Sequence, residues 1–451
     1  MTPTAGKLEW VRRLSILLVV AASGCGGSTV ATTTSSAAPQ SPAATSTTVA
    51  ATTTPTAAST TTTTPTTAPI SEGTTTTDSS IPVGPAPGVI EQGVSISGGR
   101  WYFDGEVTNP GSVAEGLLVN LRAVQGVFDD ENPLTRDNWA YPSGPGSGVW
   151  TDESVERNVM EFISAMGEWA KAGLDAFTLS LQGGNPNPDG GGPTTASRVE
   201  RVSAFDADGT LKSKWADRLV RVLDEADRLG MVVILNLFYK HQSDELANEE
   251  AVLRATENVL DLLWGANDYR NVIFDVANEV SVRASGPPQA YAHDVLTIAR
   301  IHEVLRHMQE YAAARYPGHR LLVSSSIAAS RAPAAVPDSY FDYAGFVLWH
   351  GNGIDMETQS RYMTAIRLRT SKPVVWNEDN YGEHGRCPRL TSSAVAVKGS
   401  ATISQAVSWG FHWKGCRDYV LGYQAMPVNW SDRDSDPAKD AFLDWVAAVT
   451  G

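Results

Sequence analysis

From residue 94 onward, short apolar runs alternate with amphipathic stretches, and this alternation sets the expected architecture. "VSISGGRWYFDGEV" (94–107) alternates with period two around Gly98-Gly99 and predicts a β-hairpin. "LLVNLRAVQG" (117–126) follows as the first candidate strand of a larger sheet. Further strands are expected in "LDAFTLSLQ" (174–182), "MVVILNLFY" (231–239), "NVIFDVAN" (271–278) and "RLLVSSS" (320–326). The last three fall in "YAGFVLWHG" (343–351), "PVVWNE" (373–378) and "AVSWGFHW" (406–413). Between them the period changes. Val155, Val159, Phe162, Ile163, Met166 and Trp169 share one face of a helix over 154–172, as do Trp215, Leu219, Val222, Leu223 and Ala226 in the next. Helices are also expected at 250–264, 290–312, 356–369 and 437–449, with no clear helix in "IAASRAPAAVPDSYF" and a short link before the last strand. Strands alternating with helices in this way predict a parallel sheet, most simply a closed (β/α)8 TIM barrel with an N-terminal hairpin. A doubly wound open sheet is the alternative, but no Gly-rich nucleotide loop follows an early strand.

The first 85 residues follow different rules. Lys7, Arg12 and Arg13 precede "LSILLVVAA" (14–22), an apolar run too short to span a bilayer, and "ASGC" ends at Cys25. This resembles a bacterial lipoprotein signal, with Cys25 as the lipidated residue after cleavage; an ordinary secretory peptide is the alternative. Residues 26–85 are almost wholly Thr, Ser, Ala and Pro and are expected to form a disordered tether, since they cannot bury enough apolar surface to offset their ordering entropy. Three segments result: a signal over 1–25, a linker over 26–85 and a barrel domain over 86–451. The formal net charge of −15 argues against nucleic acid as a partner and against anionic membrane surfaces, leaving the lipid anchor as the expected membrane contact. Of three cysteines, Cys387 and Cys416 remain after Cys25; in an exported protein a disulfide between them is the leading reading over two free thiols.

Polar residues collect where the predicted strands end, and in a barrel those ends face one mouth. The second strand ends at Gln182, the third in "FYKH" with Tyr239, the fourth at Asn278-Glu279, and the sixth at Trp349-His350. The seventh ends at Asn377-Glu378 and the eighth near Trp413. Two carboxylates from strands four and seven of one mouth suit the cleavage of a glycosidic bond with retention, which needs a nucleophile and a proton donor about 5–5.5 Å apart. The donor needs a raised pKa, which the negative nucleophile beside it helps to supply.

"DVANEV" and "PVVWNED" resemble the acid/base and nucleophile strands of the clan A (β/α)8 glycoside hydrolases, the superfamily that includes cellulase-like family 5 enzymes. That resemblance implies Glu279 as acid/base, Glu378 as nucleophile and Asn278 as a neighbour binding the sugar hydroxyl. It also implies His350 as the sixth-strand histidine and Trp413 as the tryptophan stacking beneath the sugar; Gln182, Tyr239 and Asn377, placed by their strand ends, are further candidate substrate contacts. Two positions depart from the family pattern. Thr178 stands where an arginine is expected, with Arg122 on the first strand as its candidate replacement, and Asn352 stands where a tyrosine is common.

The expected function is therefore a retaining glycosidase acting on an extracellular polysaccharide or glycoconjugate. It is expected to be a monomer at the cell surface or secreted, needing no metal or other cofactor. A non-catalytic carbohydrate-binding lipoprotein on the same scaffold is the alternative, and a metal-dependent hydrolase is disfavoured because no His-x-His pair ends the first strand. "FDDEN" (128–132) reads as a solvated acidic loop rather than part of the site mouth, and "DADG" (206–209) as a turn into a helix rather than a calcium loop.

Overall fold

The computed structural model describes residues 92–141, 147–183, 200–281, 291–379, 392–412, 423, 426–431 and 436–451. Within them the hairpin is β1 (Val94–Ser97) and β2 (Arg100–Phe103), extended by β3 (Glu106–Val107). Gly98 and Gly99 turn it with φ of 57° and 76°, a region open to glycine because it lacks a Cβ. The larger sheet comprises β4 (Asn120–Arg122), β5 (Ala176–Ser180), β6 (Val232–Phe238), β7 (Val272–Ala277), β8 (Val323–Ser324), β9 (Ser326–Ile327), β10 (Val347–His350), β11 (Val374–Asp379) and β12 (Ser408–Phe411). All its pairings are parallel, in the order β8-β7-β6-β5-β4-β12-β11-β10-β9.

β8 and β9 are two pieces of one strand, interrupted at Ser325, and their outer partners close the ring: β8 pairs with β7 and β9 with β10. The fold is a (β/α)8 barrel. At the interruption the Ser325 hydroxyl takes over the work of a backbone group, accepting from Ala277 N at 3.1 Å and donating to Ala277 O at 2.7 Å.

The helices are α1 (Asp152–Lys171), α2 (Ser213–Arg228), α3 (Glu249–Leu260), α4 (Ile301–Arg315), α5 (Asp338–Tyr343), α6 (Met356–Arg367), α7 (Ser392–Ile403) and α8 (Pro437–Thr450). Three expectations change. The helix expected from 290 is regular only from Ile301, after a short 3-10 turn at Asp294–Leu296. The irregular link holds the short α5, which buries Tyr340 and Phe341. The link before β12 holds α7, whose small residues give no polar–apolar period to read. Gly399 explains that composition: a Cβ there would lie 2.5 Å from the Trp445 ring. "DADG" forms a turn leading to α2, with Thr210 N donating to Asp208 Oδ1 at 2.9 Å.

"FDDEN" is solvated only at its end: Glu131 is exposed, while Phe128, Asp129 and Asp130 are buried. Asp130 is fully buried, accepting from Thr135 Oγ1 at 2.6 Å, Trp139 Nε1 at 2.8 Å and Arg201 N at 2.9 Å. Asp129 pairs with Arg218 and Arg136, each at 3.3 Å. The loop's acidity serves its own scaffold, since a buried carboxylate needs several donors to offset desolvation.

The barrel interior changes character along its axis. Toward the strand N-termini, Val94 and Trp101 of the hairpin pack with Leu118, Val232, Ile273 and Phe346 in an apolar plug. Trp101 is fully buried, edge-on to Phe346 with centroids 5.3 Å apart. Trp101→Ala is expected to cost about 3–5 kcal/mol, the range for deleting a buried tryptophan. A chemical-denaturation midpoint unchanged by the substitution would show that the hairpin does not seal the barrel. Beyond the plug the interior turns polar, with Asn120, Thr178, Asn236, Asp275, Ser324 and Asn377 all buried.

Candidate active site

Strict alternation along β11 would place neighbouring side chains on opposite faces of the sheet. The register breaks it. Trp376 pairs with Trp349 and Glu378 with the very next residue, His350, so β11 carries one extra residue there. The same bulge appears against β12, where Trp376 and Asp379 oppose Trp409 and Phe411. A bulge re-aims side chains. Asn377 points into the barrel toward Thr178 (3.5 Å), Glu378 reaches the mouth, and Asp379 turns outward to Lys398 (2.5 Å) and the Trp409 indole (2.8 Å).

Glu279 reaches the mouth by another device. Its φ is 56°, left-handed, which for a non-glycine residue costs about 1–3 kcal/mol unless its surroundings hold it. They do so through serine. Ser326 Oγ accepts from Glu279 N at 3.0 Å, Ser326 O accepts from Val280 N at 3.1 Å, and Ser326 N donates to Asp275 Oδ1 at 2.8 Å.

The two glutamates meet at His350. One ligand atom each from Glu279, His350 and Glu378 lie within 4.8 Å of one another. His350 is fully buried, its Nδ1 3.2 Å from Glu279 Oε1 and 3.4 Å from Glu378 Oε2. Arg122 lies on the other side of Glu378, with Nε 2.6 Å from Oε2 and an Nη donating to Asn278 Oδ1 at 2.8 Å. One guanidinium thus ties the nearly buried Glu378 to the residue preceding Glu279, where its fixed fork can serve both. The Asn352 amide donates to the other oxygen, Glu378 Oε1, and His412 Nε2 stands 3.8 Å from that oxygen. Lys240 Nζ lies 3.3 Å from Glu279 Oε2.

The electrostatics depart from the raised donor pKa expected of the sequence. Burial is the largest influence on Glu279 and pushes its carboxyl up. The hydrogen bond from His350, the imidazole charge and the Lys240 charge outweigh burial and Glu378, however, and draw it down to about 2. Tyr239, half-buried beside the pair, has its phenol pushed well up by burial, with the charges of Glu279 and Glu378 adding to it.

Asp275 lies deeper in the barrel, fully buried, and its Oδ2 has no hydrogen-bond partner among the described residues. Burial pushes its carboxyl up to about 6, against the favourable charges of His350 and Arg122. The sign follows from linkage: the folded state holds this proton more tightly, so the stability it contributes is present below about pH 4 and lost as pH rises through about 6. Asp275→Asn removes that dependence. Its stability relative to wild type is expected to rise between pH 4 and pH 7.5 by up to about 3 kcal/mol, two pKa steps at ~1.4 kcal/mol each. Melting curves at the two pH values measure this, and a constant difference would contradict it.

Arg122, Tyr239, Asn278, Glu279, His350 and Glu378 therefore come together at one mouth. Gln182 is a correction: it is fully buried, with its amide donating to Ser203 Oγ and Gln242 O and accepting from Tyr239 N, so it braces loops rather than facing a ligand. Asn377 is corrected likewise, because the bulge turns it inward beneath the mouth. Trp413, Cys387, Cys416 and Cys25 lie outside the described residues.

Sequence reasoning passed over Lys240, His412, Ser326 and Asp275. Lys240, His412 and Ser326 each stand at the end of a predicted strand, and that position was the available signal; nothing local marks Asp275. Glu279, His350 and Glu378 are also close enough to hold a metal ion. Arg122 and Lys240 already supply two positive charges against the two carboxylates, so charge balance there requires no metal. Among the described residues no helix is long and apolar enough to cross a membrane.

No family model matches the chain. A curated Escherichia coli protein named as the uncharacterized oxidoreductase YdgJ is 42% identical over 53 residues, which are 12% of this chain and 15% of that protein's length. Among solved structures, the chain is similar to a family 5 glycoside hydrolase, a mannosidase from Rhizomucor miehei, at 14% identity and TM-score 0.48, covering 80% of this chain and 98% of that one. A glycoside hydrolase family 5 enzyme from Prevotella bryantii is similar at 11% identity and TM-score 0.47, covering 77% and 99%. A broad-specificity endoglucanase from Clostridium longisporum is similar at 13% identity and TM-score 0.46, covering 76% and 99%. The barrel itself rests on the strand order and its closure through β8 and β9.

Proposed function

We propose that this barrel is a retaining glycoside hydrolase acting on an extracellular polysaccharide or glycoconjugate, with Glu279 as acid/base and Glu378 as nucleophile. The observation that carries the reading is the convergence of the two carboxylates on His350 within 4.8 Å. Inverting enzymes hold their carboxyl groups about 6.5–9.5 Å apart to admit a water between carboxylate and sugar, whereas retaining enzymes need about 5–5.5 Å.

In the first step a Glu378 oxygen bonds to the anomeric carbon as the bond to the leaving oxygen breaks, and Glu279 gives its proton to that oxygen. In the second, water loses a proton to Glu279 and displaces Glu378, restoring both groups. Arg122 pairs with Glu378 and holds Asn278 for the hydroxyl next to the reacting carbon, a contact that strengthens in the transition state. Trp413 is assigned the stacking role beneath the sugar.

The close pairing of Glu279 with Lys240 and His350 favours the second reading, a carbohydrate-binding barrel without turnover. One experiment separates the two. The full chain is incubated with aryl glycosides in both anomers, product configuration is followed by proton NMR, and a 2-deoxy-2-fluoroglycoside is used to trap the intermediate. Retention of configuration with the label on Glu378 is expected. Inversion overturns the nucleophile, and no hydrolysis with no label leaves the binding reading. We also propose export with lipidation at Cys25, a Cys387–Cys416 disulfide and a monomeric state. Metabolic labelling with a fatty acid, non-reducing mass analysis and light scattering test these in turn.

A further inference from the structure

Lys240 has no part in the chemistry set out so far. It follows β6 directly, its side chain is only 12% exposed, and its ammonium lies 3.3 Å from Glu279 Oε2 and 6.0 Å from the Tyr239 ring centre. Glu279 is its only carboxylate partner among the described residues. Enclosing an ammonium to this degree is costly unless it is paired, and the pairing here opposes the proposed chemistry. A cation favours an ionised carboxylate, whereas a general acid starts protonated. Nor does Glu378 need Lys240 for charge balance, since Arg122 already lies 2.6 Å from it.

The conflict disappears if the bound sugar supplies another anion. We propose that Lys240 is a specificity residue for an anionic sugar, and that the glycoside cleaved carries a carboxylate or sulfate on one of the two residues flanking the scissile bond. This rests on the hydrolase reading above. The anionic substituent takes over the ammonium, Glu279 leaves the pair, and it gains a proton from solvent. The groups facing Glu279 are then His350 from β10, Glu378 from β11 and the phenols of Tyr239 and Tyr291. A neutral sugar leaves Lys240 on Glu279, where it adds to the hydrogen bond from His350 in favouring the ionised donor. Selectivity therefore arises in binding, through the anion's contact with Lys240, which activated aryl glycosides report without needing the acid. The protein's net charge of −15 opposes long polyanions, but the contact is local, and screening limits the opposing field to about 8 Å at physiological salt.

The test uses the full chain and sets of 4-methylumbelliferyl glycosides of glucose, galactose and mannose configuration, in both anomers. Each set contains the neutral sugar, its uronide and its 6-sulfate. One anionic member is expected to exceed its neutral parent in kcat/KM by at least about tenfold, the scale of one charge-assisted contact. Lys240→Met is expected to cut that ratio about tenfold while Lys240→Arg keeps most of it, and whether the uronide or the sulfate leads identifies the anion. Neutral members equal to or better than their anionic partners, a ratio that survives in Lys240→Met, or no turnover of any anionic member each overturns the proposal. If neutral glycosides alone are cleaved and Glu378 is labelled, the hydrolase reading stands and the anionic substrate does not. If nothing is cleaved and no label forms, the hydrolase reading fails as well.

Discussion

Glu378→Ala is expected to lower turnover by on the order of 10⁴-fold or more and to regain activity when azide is added, releasing a glycosyl azide of inverted configuration. Removing the side chain removes the proposed nucleophile but leaves Arg122, whose guanidinium was 2.6 Å from the lost oxygen. That guanidinium then lines a small cavity suited to a small anion. Azide placed there attacks from the face Glu378 used; its bond to carbon forms as the leaving oxygen departs, and no second displacement restores the original configuration. Loss of one partner of a buried pair also destabilises, by about 3–5 kcal/mol, so Glu378→Gln is compared alongside to separate folding from chemistry. Unchanged turnover in a folded Glu378→Gln would remove Glu378 from the mechanism. An azide product of retained configuration would assign the missing group to the acid/base position instead.

For Glu279→Gln the loss depends on the leaving group. Substrates with poor, alkoxide-like leaving groups are expected to slow by about 10²–10⁴-fold, the usual contribution of a general acid. An activated aryl glycoside, whose leaving oxygen needs no proton, should lose little in its first step. The pH profile provides the second signature. A donor works only when protonated, so wild-type activity falls as pH rises through the Glu279 pKa, and that limb is expected to vanish in the variant. In the ligand-free protein the carboxyl is drawn to about 2 by His350 and Lys240 against burial and Glu378. Proton uptake on sugar binding is therefore part of the expectation, and calorimetry in buffers of different ionisation enthalpy measures it. An equal loss across all leaving groups, with the alkaline limb intact, would assign Glu279 a purely structural role.

The spacing of apolar runs carried the barrel because each strand and helix buries a face of fixed period whatever its neighbours are. α7 escaped that reading: a helix packed through Gly399 onto Trp445 is chosen for small size, which leaves no period. The mouth was legible for a related reason. Parallel strands deliver their C-terminal residues to one end, so Asn278-Glu279, His350 and Glu378 stood out as polar stops to apolar runs.

Adjacency in the chain could not say where those stops point. Asn377 and Glu378 are neighbours, yet a single extra residue on β11 turns one into the barrel and the other to the mouth. Gln182 ends its strand as the others do, but its amide is consumed by loop contacts that arise only after chain closure. Arg122 and Glu378, far apart in the chain, become an ion pair because β4 and β12 are hydrogen-bonded and β11 lies next to β12. The sequence by itself determined the order of the strands, the mouth where their polar ends gather and the two carboxylates there, since all of these follow from local period and parallel topology. Tertiary structure alone decided the bulge, the left-handed Glu279 held by Ser326, and the His350 and Lys240 contacts that set its charge, because each depends on distances between strands rather than on order along one.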